Sequence, residues 1–192
     1  MRGGAAGLMA VLVLAGCVAI DDNMAAGMDV PNGYPPKIGE VAADLNGAAQ
    51  RWDTYDYSIG AFDAAVQVMD FNGEVQLRLM GEPAGKPQSK TNRLLMKAVM
   101  SDRLQTGALT GVVIEIIAGE DYDGLRLSSE GSAASVVIDT ISADPARDVI
   151  GHVTGRFSAV LCATTGQPAV VDRGKCQPIR GSFDSDLQFS GV

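Results

Sequence analysis

The feature that most limits what this chain can fold into is a pair of alternating segments near the C-terminus. Ile150 to Cys162 and Cys176 to Phe189 are joined by a loop bearing Gly166, Pro168 and Gly174. Alternation of apolar and polar residues with period two marks a strand with one buried face, so the two segments read as an antiparallel hairpin. If Cys162 and Cys176 face each other, the register follows: Phe157 lies opposite Gly181, and Gly155 opposite Phe183. A ring set across from a glycine is a large-against-small match that pins register. That register puts Val153, Phe157, Leu161, Ile179, Phe183 and Leu187 on one face, and His152, Thr154, Arg156, Arg180, Asp184 and Asp186 on the other. A cystine at the loop end of the hairpin would close a loop of about 15 residues, worth on the order of 3 kcal/mol by the chain-entropy argument. Two thiols and one distant histidine fall short of the ligand set of a closed zinc site.

The preceding residues carry the same punctuation. Glu40 to Leu45 and Ala48 to Trp52 flank Asn46-Gly47, and Ala61 to Phe71 and Glu74 to Met80 flank Asn72-Gly73. Asn-Gly suits a type I′ turn, whose two central residues need positive φ, so each stretch reads as a hairpin. In the second, Val75, Leu77 and Leu79 share one face and Gln76 and Arg78 the other. Glu82 to Lys90 holds Pro83, Gly85 and Pro87 and reads as a loop. Thr91 to Leu104 fits two patterns: Leu94, Leu95, Ala98 and Val99 make a helical stripe, whereas Leu94, Met96, Ala98 and Met100 alternate. The β surroundings favour a strand. Val112 to Ala118, rich in β-branched residues, reads as a central strand buried on both faces, and Leu125 to Ser128 and Ser135 to Ile141 continue the series. The expected fold is all-β, an antiparallel β-sandwich or partly closed barrel of eight or more short strands.

At the other end, an apolar run from Leu8 follows Arg2 and finishes in Leu14-Ala15-Gly16-Cys17. It is too short to span a bilayer and has the form of a secretory signal. Its last four residues resemble the lipobox of bacterial lipoproteins. The resemblance implies removal of residues 1–16, a diacylglycerol on the thiol of Cys17, and anchorage in the bacterial cell envelope. Val18, where an aspartate would retain an enteric lipoprotein at the inner membrane, resembles outer-membrane sorting. Several acyl chains, at about 0.8 kcal/mol per buried CH2, make an effectively permanent anchor. The resemblance also accounts for the odd cysteine, leaving Cys162 and Cys176 to pair in an oxidising compartment. From Val18 to Pro36, Asp, Asn, Gly and Pro interrupt every periodicity, so residues 17–36 read as a lipidated N-terminus and flexible tether, and 37–192 as the folded domain.

The formal charge is -8 and the basic residues are scattered, which leaves no electrostatic footprint for nucleic acid and no attraction to anionic headgroups. Membrane attachment therefore rests on lipidated Cys17. Neither a phosphate loop nor a dinucleotide fingerprint is present, and no cofactor or metal is expected. His152 is the only histidine, so any Ser-His-Asp or Cys-His chemistry would need it; without a G-x-S-x-G elbow or an H-E-x-x-H helix it reads as a solvated surface residue. Glu120 to Gly124 resembles part of a calcium loop but lacks the later ligands, and an Asp-Gly turn explains it. Asp184-Ser185-Asp186 falls on a solvated strand face.

One segment stands out chemically. Trp52-Asp53-Thr54-Tyr55-Asp56-Tyr57, followed by Phe62, gathers aromatic rings with carboxylates in a chain that is only 5 % aromatic. Trp52, Asp53, Tyr55, Asp56 and Tyr57 are therefore the candidate ligand-binding residues, since rings stack on sugar C–H faces while carboxylates accept from hydroxyls. The competing use of the same rings is core packing, where aromatics contribute most. The expectation is a non-enzymatic binding or assembly module for an envelope protein or glycan partner. The alternatives are a glycan hydrolase using acids among Asp53, Asp56 and Asp121, and a purely structural envelope protein.

Overall fold

The computed structural model describes residues 35–58, 64–120, 124–166 and 168–190. The lipobox with Cys17, the residue Phe62 and the carboxylate of Asp121 lie outside them. The described residues form eleven strands and no helix: β1 (Lys37–Leu45), β2 (Ala48–Tyr55), β3 (Val66–Phe71), β4 (Glu74–Pro83), β5 (Arg93–Met100), β6 (Gly107–Ala108), β7 (Thr110–Ile117), β8 (Arg126–Ser128), β9 (Ala134–Asp144), β10 (Arg147–Thr165) and β11 (Val170–Ser190).

Each Asn-Gly dipeptide makes the turn it encodes. Asn46 and Gly47 have φ of 51° and 87°, and Asn72 and Gly73 have 56° and 80°. Asp44 and Asp70, two residues before the respective asparagines, accept hydrogen bonds from the Gly47 and Gly73 amides at 2.7 and 2.9 Å. The ambiguous segment is a strand: in β5, Leu94, Met96, Ala98 and Met100 are all buried, as alternation requires.

The pairings lay out two layers. β2-β1-β11-β10-β9-β6 run side by side in one, and β3-β4-β5-β7-β8 in the other. They join at three corners: β11 with β3, β10 with β8, and the end of β2 with the end of β4. Between them lies one core, with Val41, Val153, Phe157 and Phe183 from the first layer against Val68, Leu77, Met96 and Ile114 from the second. The result is a sandwich whose edges are partly closed into a ring, within the expected class.

Two expectations change in detail. The strands are not uniformly short, since β10 and β11 have 19 and 21 residues, and the sheet is not wholly antiparallel, since β11 runs parallel to β3 from Gln188 to Ser190. The causes are linked. Each long strand serves its own layer along most of its length and then crosses to the opposite one, so a single strand must carry both sets of partners.

The terminal hairpin has the register that alternation implies. Cys162 pairs with Cys176, Phe157 with Gly181, and Gly155 with Phe183. The two cysteines are joined by a disulfide. A Cβ added at Gly181 would lie 2.7 Å from Phe157 Cζ, so the ring occupies the space of the missing side chain. Phe183 fills the space above Gly155 in the same way, and Phe189 does so at Gly151, a third instance that pairing alone does not reveal. Past the disulfide the register jumps to Ala163 opposite Asp172, leaving Arg173, Gly174 and Lys175 as a bulge on β11.

In β7 the residues from Ile114 to Ile117 are buried on both faces. Glu115 tolerates this because Arg126 Nε on β8 donates to its Oε1 at 3.1 Å, with both side chains almost fully buried.

Candidate functional site

The aromatic and acidic segment occupies the end of β2, where alternation sends its side chains to opposite sides. Trp52 and Thr54 point into the core. Trp52 is 3 % exposed, packs over Gly81 of β4, and donates from Nε1 to the Asn92 carbonyl at 2.8 Å. Thr54 shares a buried hydroxyl contact with Ser185 at 2.8 Å. Asp53 and Tyr55 share the other side of the strand, and both are buried too.

Asp53 is held by β1, by Tyr55 and by the segment that follows β4. Asp53 Oδ1 takes an ion pair from Lys37 Nζ at 2.7 Å. Its Oδ2 accepts from the Gly85 amide at 2.7 Å and from the Tyr55 hydroxyl at 3.3 Å. Tyr57, half-buried, donates from its hydroxyl to Glu82 Oε2 at 2.7 Å and accepts from the Gln88 amide at 3.2 Å. Asp56 has a local role: its Oδ1 accepts from the Ser58 amide at 2.8 Å, while its own amide donates to the Pro36 carbonyl at 3.0 Å. The rings of Tyr55 and Tyr57 are tilted at 53°, with centroids 6.3 Å apart.

The protonation states follow from these contacts. Burial by itself would raise the Asp53 carboxyl, but Lys37, the Gly85 amide and the Tyr55 hydroxyl together hold it below its ordinary value. Lys37 is raised, chiefly by its hydrogen bond to Asp53. Tyr57 is pushed well up by burial and then by its bond to Glu82. Tyr55 is raised by burial and by the charge of Asp53. Both phenols are thus held neutral as donors to carboxylates.

The segment therefore acts as a latch. Trp52, Asp53 and Tyr57 hold Asn92, Gly85 and Gln88, three points along the stretch between β4 and β5. Pinned this way, the stretch adopts positive φ at Gly85 (72°) and at two non-glycine residues, Gln88 (61°) and Asn92 (54°). Lys86, Pro87, Gln88, Lys90 and Thr91 stand out to solvent on a backbone tied down by these three hydrogen bonds.

Asp53 and Tyr57 thus share one site, with Tyr55 between them, whereas Trp52 is a core residue whose indole serves the loop from inside. Two participants escaped the sequence reading. Glu82 is buried and stands directly opposite Asp53 where β2 meets β4, but Pro83 beside it made the stretch look like loop from its first residue. Lys37 is the first residue of β1, and nothing local marks it as a partner for Asp53. His152 lies on the exposed face as expected, with Nδ1 2.9 Å from Asp186 Oδ1 and Nε2 3.2 Å from Asp184 Oδ1. Among the described residues, no cluster of three or more His, Cys, Asp or Glu has the geometry to hold a metal ion. No known family, characterised protein or solved structure matches the chain.

Proposed function

We propose that this protein is a lipid-anchored lipoprotein of the bacterial cell envelope, held through Cys17 and serving as a non-enzymatic binding or assembly module for a protein or glycan partner. The observation that carries the reading is the latch. The residues that stand out chemically, Asp53 and Tyr57, direct their polar atoms into internal hydrogen bonds that fix the loop from Gly85 to Asn92. Rigid display of an exposed loop on a β scaffold suits recognition, because the ordering cost is met before the partner arrives. The Leu14-Ala15-Gly16-Cys17 pattern, with its resemblance to a lipobox, supports the location, and the Cys162–Cys176 disulfide suits an oxidising compartment outside the cytoplasm.

The test is crosslinking in intact envelopes, comparing the native chain with Lys86→Glu/Lys90→Glu, which alters the loop surface without touching the latch. Loss of a partner that the native chain captures is the expected result. Recovery of every partner by the double variant would remove the loop from the interface.

The second reading, a glycan hydrolase, would draw on Asp53 and Glu82, which stand opposite each other where β2 meets β4 but are buried and internally bonded, so it requires the latch to open to substrate. Paired acids of this kind are the machinery of glycosidic cleavage when a substrate lies between them. Release of soluble fragments from purified envelope glycan, abolished by Glu82→Gln, would establish that activity in place of the binding role.

A further inference from the structure

We infer that the outer face of the β3-β4-β5 layer carries a binding site for an anionic amphiphile, a molecule with a phosphate or carboxylate head and a short aliphatic segment. On this face Gln67, Arg78 and Lys97 stand in one row, Gln67 paired with Arg78 and Arg78 with Lys97 across neighbouring strands. Two cations placed directly opposite each other repel, and a sheet ordinarily avoids that arrangement. Neither has an acidic partner among the described residues. Arg78 makes only a weak contact with the Met69 sulfur at 3.8 Å. Lys37, Arg147, Arg156 and Lys175 each pair with an aspartate. Among the described residues other exposed cations, such as Arg51 and Arg180, form no ion pair either, and what sets Arg78 and Lys97 apart is that they stand directly opposite each other. On a chain of net charge -8, a like-charged pair left uncompensated in this way makes a local positive field suited to an anion.

The surroundings specify the rest of the ligand. Arg78 and Lys97 border a shallow groove of about 320 Å³, lined also by Ala65, Met80 and Leu95, with no acidic residue among its described lining. Met80 and Leu95 are cross-strand neighbours and half-buried, so the floor beside the two cations is aliphatic. An oxyanion bridging the guanidinium and the ammonium would relieve their repulsion, and Gln67 could donate to the same group. The attached chain would cover Met80 and Leu95. A free inorganic anion would use only half of the site, and a neutral amphiphile only the other half.

The groove borders the latch, since Met80 lies two residues before Glu82 on the same face of β4 and the Ala65 amide donates to the Tyr55 carbonyl, but the assignment does not rest on the partner-binding role. Its test is calorimetric titration of the full chain carrying Cys17→Ala, so that no acyl group of its own competes for the groove. Three probes are used below their micelle-forming concentrations: octyl phosphate, octyl glucoside and inorganic phosphate. Saturable binding of octyl phosphate is expected, at least tenfold tighter than either of the others, weakened by added salt and reduced at least tenfold by Arg78→Gln or Lys97→Gln. Both positions are solvent-exposed, so the variants should keep the native thermal transition, which is recorded alongside. Absence of saturable binding, equal affinity for inorganic phosphate or for octyl glucoside, or undiminished affinity in folded variants would each overturn the assignment.

Discussion

Glycine and aromatic positions in the terminal hairpin act as matched pairs. At Gly181 an added methyl would meet the Ala42 carbonyl oxygen, Phe157 Cζ at 2.7 Å and Ala43 Cβ at 2.8 Å, so backbone as well as side chain would have to move. Gly181→Ala is expected to cost about 2 kcal/mol through overpacking, read as a lower urea midpoint; a shift equivalent to less than about 0.5 kcal/mol would show that the strands adjust freely. Asp53 makes a different kind of prediction. Its pKa is depressed in the folded state, so its stabilising contribution is fully present above the unfolded carboxylate value of about 3.9 and is lost as pH falls through the folded value. Asp53→Asn should therefore be less stable than the native chain near neutrality, with the gap narrowing on acidification. Denaturation midpoints measured from neutral pH down through the carboxylate range check this, and a constant gap would mean that the Lys37 and Gly85 contacts do not depend on the charge.

At the scale of elements, β10 and β11 connect the two layers, and the disulfide stands where they hand over from one set of partners to another. Cys162 pairs with Ser128 of β8 as well as with Cys176, immediately before the three-residue bulge. Replacing both cysteines by alanine should cost on the order of 3 kcal/mol. The loss of hydrogen-exchange protection should be greatest beyond the bond, at residues 163–172. Protection around Phe157 and Phe183 should survive, because the rings over glycine hold that register without the cystine. Equal loss along the whole hairpin would show that the disulfide alone sets the pairing. Alternation was sufficient to read this hairpin because one face is buried throughout and a slip by one residue would expose every apolar side chain. It was sufficient for β5 for the same reason. It could not show that β4 extends to Glu82 and Pro83, since that end is ordered by β2, a strand thirty residues away in sequence.

For the molecule as a whole, the proposed anchor can be tested apart from the β domain. Cys17→Ala is expected to move the protein from the membrane pellet to the soluble fraction and to abolish incorporation of labelled palmitate, both visible by fractionation and autoradiography; continued pelleting without label would point to a membrane attachment other than the acyl group. The domain's class was legible in the residues themselves, because strand periodicity, Asn-Gly turns and glycine opposite aromatic are all short-range patterns whose physical cause lies within a hairpin. The candidate site was legible only in part. The sequence by itself determined that Trp52 to Tyr57 is unusual and that its rings and carboxylates need partners. Only the tertiary structure decided that Lys37, Glu82, Gly85 and Gln88 are those partners, and that Arg78 and Lys97 stand side by side on the opposite surface of the β4–β5 sheet from the core. Hydrogen bonds and charge contacts between distant strands depend on how two layers meet at their corners, and no local pattern of residues encodes that meeting.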